Sequence, residues 1–352
     1  MTLQKSKSIK IDIKNAEKLR KYLISNDLLN INLKIKKDST YVYLPIKKIA
    51  NNVESYTIVE EKFEKLKKKP RTYKDLLKIS NNLLKKKLPS SYDIVGDIIL
   101  IKLSTELMQH KKEIGDSLLK ANNNIKTVCL SNPVTGELRT RDIEIISGEK
   151  KTKTIHKEYG LNFYVDINKT YFSPRLANER KRIAGQVDKD EIIVDMFTGV
   201  GPFPIIIARY SIPRIIYAID KNPEAIKYAK KNLSENKVID KIELINSDAK
   251  KAIRFLLDKK ISADRIIMNL PFSSFDFFID ALRISNEKSI IHYYTIIAEE
   301  DIEKEIVSLK RIANQENYFF KNVEIHKIKT YAPREFYIGL DITVEKKHAD
   351  VA

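Results

Sequence analysis

The first 68 residues combine a helical hydrophobic pattern with two extended segments. Within residues 11–25 apolar side chains recur every three or four positions, which predicts an amphipathic helix. Residues 31–35 and 41–46 are expected to be extended. The run 61–71 is charged, has only two apolar residues and contains a proline, so we interpret it as an exposed connection with a domain boundary near residue 68. Residues 1–68 are therefore predicted to form a small domain of helix and sheet.

Residues 72–165 show a second mixture of patterns. Helical stretches are predicted over 73–87 and 105–121, and residues 92–101 are typical of paired buried strands. The segment 132–137 contains proline and glycine and predicts a turn. We expect a middle domain of mixed α and β structure.

From residue 190 onwards the pattern is that of a buried parallel sheet. Residues 192–197 form a β-branched apolar run that leads into Gly199 and Gly201, and a helix-like stretch follows. Strand, glycine loop and helix are the first unit of a doubly wound sheet, and glycines at this turn let the backbone approach a nucleotide. In the second unit, Asn222 is placed to cap a helix that has Pro223 in its first turn.

Four predicted strands of this region each end in a polar side chain. The carboxyl ends of parallel strands meet at one edge of the sheet, so we expect these side chains to line a common crevice. They are Asp195, Asp220, Asp248 and Asn269.

The net charge changes along the chain. Its 352 residues include 65 Lys and Arg and 47 Asp and Glu, which gives a formal net charge of +18. Residues 1–70 contribute +9 (17 basic, 8 acidic), residues 71–170 contribute +6 (18 and 12) and residues 171–352 contribute +3 (30 and 27). This gradient favours an N-terminal half that binds a polyanion and a nearly neutral remainder that does chemistry. A Lys-rich genome that places lysine on every surface would also explain the excess.

Composition excludes several classes of protein. No run approaches the ~20 uncharged apolar residues of a membrane span, and no secretory signal is present, so we expect a soluble, cytoplasmic protein. The single cysteine, Cys129, excludes a disulfide framework, and its apolar neighbours favour a packing role over catalysis. The five histidines are scattered without i, i+4 pairs, so we expect no metal site.

The series of strand ends favours S-adenosyl-L-methionine over other nucleotides. Asp220 stands about 20 residues beyond the glycines, where it would accept from ribose hydroxyls, and Asp248 would accept from the adenine amino group. Pro204 occupies the third glycine position of the NAD fingerprint, and no Gly-Lys-Ser/Thr follows to form a phosphate loop. The glycine loop alone also occurs in dinucleotide enzymes and structural turns, and Asn269 with Pro271 would also suit a capped turn.

Several motifs, in order, resemble the archaeal and eukaryotic tRNA (guanine-37-N1)-methyltransferases. They lie at residues 171–180, 194–203, 218–223, 268–271, 292–294 and 331–335, and upstream at 91–97 and 136–141. The resemblance implies a monomer that binds tRNA and S-adenosyl-L-methionine. It also implies three parts: a mobile domain over 1–68 that checks the tRNA elbow, a middle RNA-binding α+β domain over 72–165, and a methyltransferase domain over 166–352. The predicted fold class is accordingly α/β, with a Rossmann-like class I methyltransferase domain preceded by two smaller α+β domains.

The resemblance also assigns roles at the site. Glu179 matches the general base that removes the N1 proton, and Arg139 matches the arginine that steadies O6. The implied cofactor-binding residues are Tyr171, Phe172, Arg175, Asp195, Phe197, Gly199, Gly201, Asp220, Asn222, Asp248, Asn269, Leu270 and Pro271. The implied substrate-binding residues are Arg139, Arg141, Tyr171, Arg175, Asn269 and Arg334.

The chain departs from the family pattern at residues 272–274, Phe-Ser-Ser, where a lysine or another aromatic residue and an alanine are commoner. Four alternatives to sole N1 methylation are therefore considered. The Asn-x-Pro-aromatic motif also occurs in enzymes that methylate exocyclic amines. Some relatives also methylate the wyosine precursor 4-demethylwyosine at the same tRNA position, and a sibling family transfers an aminocarboxypropyl group. A tRNA-binding module without catalysis would have lost the acidic strand ends, which are present.

Overall fold

A computed structural model describes residues 3–50, 53–66, 72–78, 82–135 and 140–347. The chain forms two compact units, Met1–Asp75 and Leu76–Ala352. The strands in the described residues are Leu3–Asp12 (β1), Lys36–Lys37 (β2), Tyr41–Pro45 (β3), Thr57–Glu64 (β4), Asp93–Val95 (β5), Ile98–Ile101 (β6), Thr127–Thr135 (β7), Thr140–Gly148 (β8), Lys153–Glu158 (β9), Leu161–Asp166 (β10), Ile192–Asp195 (β11), Ile215–Asp220 (β12), Ile242–Asn246 (β13), Ala263–Met268 (β14), Ser285–Ala298 (β15), Tyr318–Ala332 (β16) and Glu335–Lys346 (β17). The α-helices are Ile13–Ser25 (α1), Asn82–Lys87 (α2), Lys111–Ala121 (α3), Ala177–Ala184 (α4), Pro202–Tyr210 (α5), Pro223–Glu235 (α6), Ala249–Asp258 (α7), Phe278–Ile284 (α8) and Ile302–Gln315 (α9).

The first unit is an antiparallel sheet of order β2-β3-β1-β4 with α1 packed on it through Ala16, Leu19 and Leu23. The helix prediction is confirmed, but β1 and β4 were not predicted, and 31–35 forms no strand. The interpretation of 61–71 as a connection is wrong as far as Glu64, because those residues complete β4. Phe63 is buried, while charged side chains of the strand form ion pairs, as between Lys36 and Glu61 at 2.7 Å. The boundary near 68 lies outside the described residues.

The second unit begins with a four-stranded sheet of order β5-β6-β7-β8, followed by the hairpin of β9 and β10. The paired strands predicted over 92–101 are β5 and β6. The helix predicted over 73–87 is interrupted: Tyr73–Leu76 is a 3-10 turn, 77–78 are not helical, 79–81 lie outside the described residues, and α2 follows. The helix predicted over 105–121 begins as the 3-10 turn Thr105–His110 and continues as α3. The turn predicted at 132–137 is wrong for 132–135, which belong to β7; 136–137 lie outside the described residues.

The seven-stranded sheet of the second unit has the order β13-β12-β11-β14-β15-β17-β16. Its first five strands are parallel, and β17 and β16 are antiparallel to their neighbours. Buried residues of α4, α5 and α6 join one hydrophobic core, and buried residues of α7, α8 and α9 join a second. The predicted fold class, a Rossmann-like doubly wound sheet, is confirmed. Strand order reverses between β11 and β14, which is where such sheets bind ligands.

Among the described residues, no helix is both long enough and apolar enough to cross a membrane.

Candidate active site

A cavity opens at the carboxyl ends of β11, β12 and β14 and at the start of α7. Its empty volume is about 940 Å³, including space open to solvent. Three of the four predicted strand-end side chains line it: Asp220, Asp248 and Asn269. Tyr171, Phe172, Phe197, Gly199, Asn222 and Leu270, also predicted at the cofactor site, line it as well.

Asp220 organises the glycine loop. Its Oδ2 accepts a 2.6 Å hydrogen bond from the amide of Gly199, and its Oδ1 accepts one of 2.9 Å from the amide of Asn222. Gly199 has φ +58°, in the left-handed region that glycine adopts at no steric cost. The carboxylate therefore holds the first and second strand–helix units at a fixed separation across the cavity.

Asn222 and Asp248 are helix caps as well as cavity residues. Asn222 Oδ1 accepts from the amides of Glu224 and Ala225, as the predicted cap of α6, and its Nδ2 donates to the Lys169 carbonyl at 2.9 Å. Asp248 Oδ1 caps α7, accepting from the Lys250 amide at 3.0 Å. Each cap places a helix N-terminus at the cavity wall, where amides and the helix dipole favour electron-rich ligand atoms.

Asp195 lies outside the cavity lining, beneath the loop that it supports. The side chain is fully buried, and Oδ1 accepts a 3.3 Å hydrogen bond from the Phe197 amide. Burial raises the pKa of this carboxyl to about 7. Its Oδ2 has no hydrogen-bond partner among the described residues. Gly201, with φ +84°, caps α5 and also lies outside the lining.

Arg180 lines the cavity and was missed by sequence reasoning. Its Nη1 donates to both carboxylate oxygens of Glu158, at 2.9 and 2.8 Å, and its Nη2 donates to the Ser173 carbonyl at 2.6 Å. The guanidinium carbon lies 5.0 Å from the Phe172 ring centroid. The pair is almost completely buried, so it fixes the loop that carries Tyr171 against β9. The sequence feature that could have pointed to Arg180 is the Glu-Arg pair at 179–180 of the motif.

A second cavity, of about 1410 Å³ empty volume, adjoins the first within the same unit. Tyr171 and Ser173 line both cavities, so these two residues stand between them. Arg175 and Pro271, predicted as site residues, line only the second, and Arg175 forms an ion pair with Asp93.

The wall of the second cavity comes from both parts of the unit. The middle sheet contributes Asp93, Leu100, Lys102 and Ser131, and the seven-stranded sheet contributes Ile296, Lys329, Thr330, Tyr331 and Tyr337. Asn269 connects the two cavities, because its Oδ1 accepts a hydrogen bond from the Tyr337 hydroxyl. None of the residues named here from β16 and β17 was assigned to the site from sequence. Tyr331 belongs to the motif 331–335, in which only Arg334 was a predicted site residue.

Glu179 lies in the first turn of α4 and is only 7% exposed. Its Oε1 accepts hydrogen bonds from Tyr294 Oη and Arg182 Nη2, both at 2.7 Å, and its Oε2 accepts from Arg182 Nε at 2.9 Å. A Cβ built at Gly339 would lie 3.1 Å from the Tyr294 ring and 3.5 Å from Glu179 Oε1. The absence of a side chain at this glycine therefore leaves room for Tyr294 and Glu179. Glu179 itself is not part of either cavity wall.

Asp341 anchors the arginine that binds Glu179. Its carboxylate accepts from Arg182 at 2.5 and 3.0 Å and pairs with His292 Nδ1 at 2.7 Å. Burial acts to raise the pKa of Asp341, but the neighbouring His292 and Arg182 outweigh it and hold this pKa far below its usual value. Arg182 is therefore fixed between two carboxylates, and Glu179 is ion-paired in this structure.

Of the remaining predicted site residues, only Arg334 has a described side chain, and it lines neither cavity. Arg139 and the side chain of Arg141 lie outside the described residues. Arg334 is exposed in the turn between β16 and β17, with φ +65°. Cys129 is buried in β7, where burial raises the pKa of its thiol to about 12; this confirms the packing role.

Comparison with known protein families covers most of the chain. Residues 154–321 match the TRM5/TYW2 methyltransferase domain, residues 73–152 the TYW2 N-terminal domain, and residues 8–54 the tRNA methyltransferase 5 N-terminal domain.

Three curated relatives act on position 37 of tRNA by name. The tRNA (guanine(37)-N(1))-methyltransferase Trm5b of Pyrococcus abyssi is 35% identical over 341 residues, covering 96% of this chain and 98% of the relative. Trm5b of Methanocaldococcus jannaschii is 38% identical over 351 residues, covering 96% and 99%. A tRNA(Phe) (4-demethylwyosine(37)-C(7)) aminocarboxypropyltransferase of M. jannaschii is 33% identical over 256 residues, covering 72% and 98%.

Solved structures show the same similarity. Trm5b of P. abyssi superposes with a TM-score of 0.83 at 34% identity, covering 97% of this chain and 99% of that one. A complex of aTrm5 with tRNALeu superposes with a TM-score of 0.78 at 37% identity, covering 96% and 99%.

Proposed function

The chain belongs to the TRM5/TYW2 methyltransferase family, and we infer that it methylates N1 of guanosine 37 in tRNA with S-adenosyl-L-methionine. The observation that carries this inference is the pair of adjoining cavities that share Tyr171 and Ser173. One cavity has the acidic strand ends and helix caps of a nucleoside site, and the other is lined by aromatic and cationic side chains. A methyl donor and a nucleobase would meet at the residues between them.

The first cavity fits S-adenosyl-L-methionine. Asp220 and Asp248 present carboxylates from the second strand end and the third helix cap, suited to ribose hydroxyls and an adenine amino group. Phe197, Leu270 and Phe277 supply apolar surface for a purine ring. When bound, this cofactor supplies an electrophilic methyl group on a sulfonium.

The second cavity receives the guanine. N1 of guanine carries a proton, so its methylation requires an exposed base, a proton acceptor and stabilisation of charge on O6. A guanosine in the anticodon loop is unstacked at a cost of a few kcal/mol when it leaves the loop. We propose that Asn269 holds the edge of the base and that Tyr171 and Arg175 line its pocket.

Glu179 is the proposed general base. A base must come within about 3 Å of the proton that it removes, and such contacts often form only in the substrate complex. Because Arg182 and Tyr294 occupy both carboxylate oxygens, we propose that tRNA binding exchanges one of these hydrogen bonds for one from N1. Arg139 is proposed to steady O6, a contribution of about 3 kcal/mol for one well-placed donor.

We propose that the chain has three parts, 1–68, 72–165 and 166–352, and that the first recognises the tRNA elbow. Action on tRNA supports a cytoplasmic location, and a monomer stays a prediction of the family resemblance.

Nucleoside mass spectrometry tests the function. Unmodified tRNA is incubated with the protein and methyl-labelled S-adenosyl-L-methionine, then digested. Labelled N1-methylguanosine is expected from tRNA with guanosine at 37, and none from a control with adenosine there. Labelled N2-methylguanosine would instead show transfer to the exocyclic amine. Arg139→Ala should slow single-turnover methylation while leaving cofactor affinity unchanged; an unaltered rate would remove Arg139 from the mechanism.

One alternative is favoured by a specific observation, the similarity to the aminocarboxypropyltransferase. A tRNA that carries 4-demethylwyosine at position 37, incubated with the cofactor, distinguishes the activities by mass: transfer of a methyl group or of an aminocarboxypropyl group adds a different mass to the nucleoside.

A further inference from the structure

An exposed aromatic pair stands at the second cavity. Phe272 is 62% exposed and Tyr331 is 49% exposed, and their ring centroids lie 5.8 Å apart at an interplanar angle of 73°. Both residues line the cavity. Large aromatic side chains are usually buried, so a pair with this much exposed ring surface indicates a surface that binds a partner.

The turn that carries Phe272 is held by hydrogen bonds on both sides. The buried Ser274 hydroxyl lies 2.9 Å from the Met268 carbonyl oxygen and 3.1 Å from that of Leu270. The Ile296 amide donates to the Pro271 carbonyl at 3.3 Å. These contacts fix the turn to β14 and β15, so the exposed ring of Phe272 is presented on a fixed backbone. Ser274 belongs to the segment in which the chain departs from the family pattern.

The surroundings of the pair match the chemistry of single-stranded nucleic acid. The cavity lining contains three cations, Lys102, Arg175 and Lys329, against one carboxylate, Asp93. It also contains five aromatic side chains, which are Tyr92, Tyr171, Phe272, Tyr331 and Tyr337. Cations that follow a phosphate backbone, interleaved with rings that stack on bases, are the combination used to bind unpaired nucleotides.

We propose that the pair of Phe272 and Tyr331 holds a nucleotide that flanks guanosine 37 in the anticodon loop. This rests on the proposed function. Because the rings are inclined at 73°, one of them stacks on the base and the other contacts its edge. Removing a base from a stacked loop exposes the faces of its neighbours, at a cost of a few kcal/mol. Phe272 and Tyr331 replace the lost stacking partner and keep the neighbouring nucleotide ordered. Their exposure distinguishes this role from holding the target base, which lies deeper, at Tyr171 and Asn269.

The test uses the full chain and two unmodified tRNAs, with 2-aminopurine at position 36 or at position 38. Stacking quenches this fluorophore. In the wild-type complex the fluorescence at one of the two positions stays low; in the complex of the Phe272→Ala/Tyr331→Ala variant it rises. Binding of tRNA becomes about five- to hundredfold weaker, the range expected for loss of base–aromatic stacking. Affinity for S-adenosyl-L-methionine is unchanged.

Two further variants complete the design. Phe255→Ala removes another exposed aromatic residue, on α7 and away from both cavities, and should behave as wild type. Phe272→Trp keeps a ring and should retain the quenching. The proposal would be overturned if the wild type and the double variant gave the same fluorescence at each of the two positions and bound tRNA with the same affinity. Formation of N1-methylguanosine by wild type is measured separately, so a wild type that binds tRNA without methylating it would reject the proposed function instead.

Discussion

Tyr294 donates a 2.7 Å hydrogen bond to Glu179 Oε1, although the two residues are 115 positions apart in the chain. The Tyr294 ring is completely buried, and burial together with the adjacent Glu179 carboxylate raises the pKa of its hydroxyl well above the usual value. The hydroxyl therefore stays protonated and can act as a donor to the carboxylate throughout the physiological pH range. The proposed base is thus oriented by β15, an element outside its own motif.

Tyr294→Phe should reduce the single-turnover rate of methyl transfer by roughly tenfold or more. A hydrogen bond to a charged group contributes about 1.5–3 kcal/mol, and its loss leaves the carboxylate less firmly oriented. Affinity for S-adenosyl-L-methionine should not change, since Tyr294 is not a cavity residue. Tyr293→Phe is the matched control, because the Tyr293 hydroxyl bonds Glu305 in the opposite core. Equal rates for the two variants would show that Tyr294 only fills space.

Glu179→Gln should slow the chemical step by about 10²- to 10⁴-fold, the usual contribution of a positioned base. The amide keeps the size of the side chain but cannot take the N1 proton. Rapid-quench single-turnover assays at saturating tRNA and cofactor measure the step, and calorimetry measures cofactor affinity, which should be close to wild type. A variant that methylates as fast as wild type would require a different proton acceptor.

Asp220→Ala should raise the dissociation constant of S-adenosyl-L-methionine by at least about tenfold, since hydrogen bonds to charged groups contribute about 1.5–3 kcal/mol. Two effects act together: the ribose loses its proposed acceptor, and the Gly199 amide loses the carboxylate that holds the loop. Asp240→Ala, an exposed position in the 3-10 turn Ile239–Lys241, is the control. Calorimetric titration of cofactor decides the outcome, and unchanged affinity for Asp220→Ala would place the ribose elsewhere.

The sequence predicts those parts of the fold whose signals are local. β11 is a continuous apolar run followed by two glycines, so its strand, loop and helix could be recognised from about 20 neighbouring residues. The cap of α6 by Asn222 is equally local. β4 was missed because Phe63 is its one buried side chain and most of the others are charged or polar. The sequence of such an edge strand resembles that of a solvated linker.

The partners of the proposed base could not be predicted in the same way. Arg182 lies three residues from Glu179, but the carboxylate that fixes it, Asp341, is 159 residues away. That contact depends on the pairing of β15 with β17, which no local pattern specifies. Tyr337, on the same strand β17 as Asp341, reaches Asn269. Motif resemblance named Glu179 and Asn269, while the residues that orient them emerged only from the sheet topology.

Asp195→Asn should alter how stability depends on pH. Burial raises the pKa of Asp195 to about 7 in the folded protein, against an ordinary value of 3.8. Between these values the folded state holds more protons than the unfolded state, so the contribution of Asp195 to stability is complete below about pH 4. This contribution decreases as the pH rises, by up to about 1.4 kcal/mol per pH unit, and is constant above about pH 7.

Asparagine at position 195 keeps an oxygen that can accept from the Phe197 amide but has no charge to bury. The melting temperature of the variant relative to wild type should therefore increase between pH 5 and pH 8, whereas exposed Asp240→Asn should show no such trend. A constant difference across this range would mean that the Asp195 carboxyl is not neutral when buried.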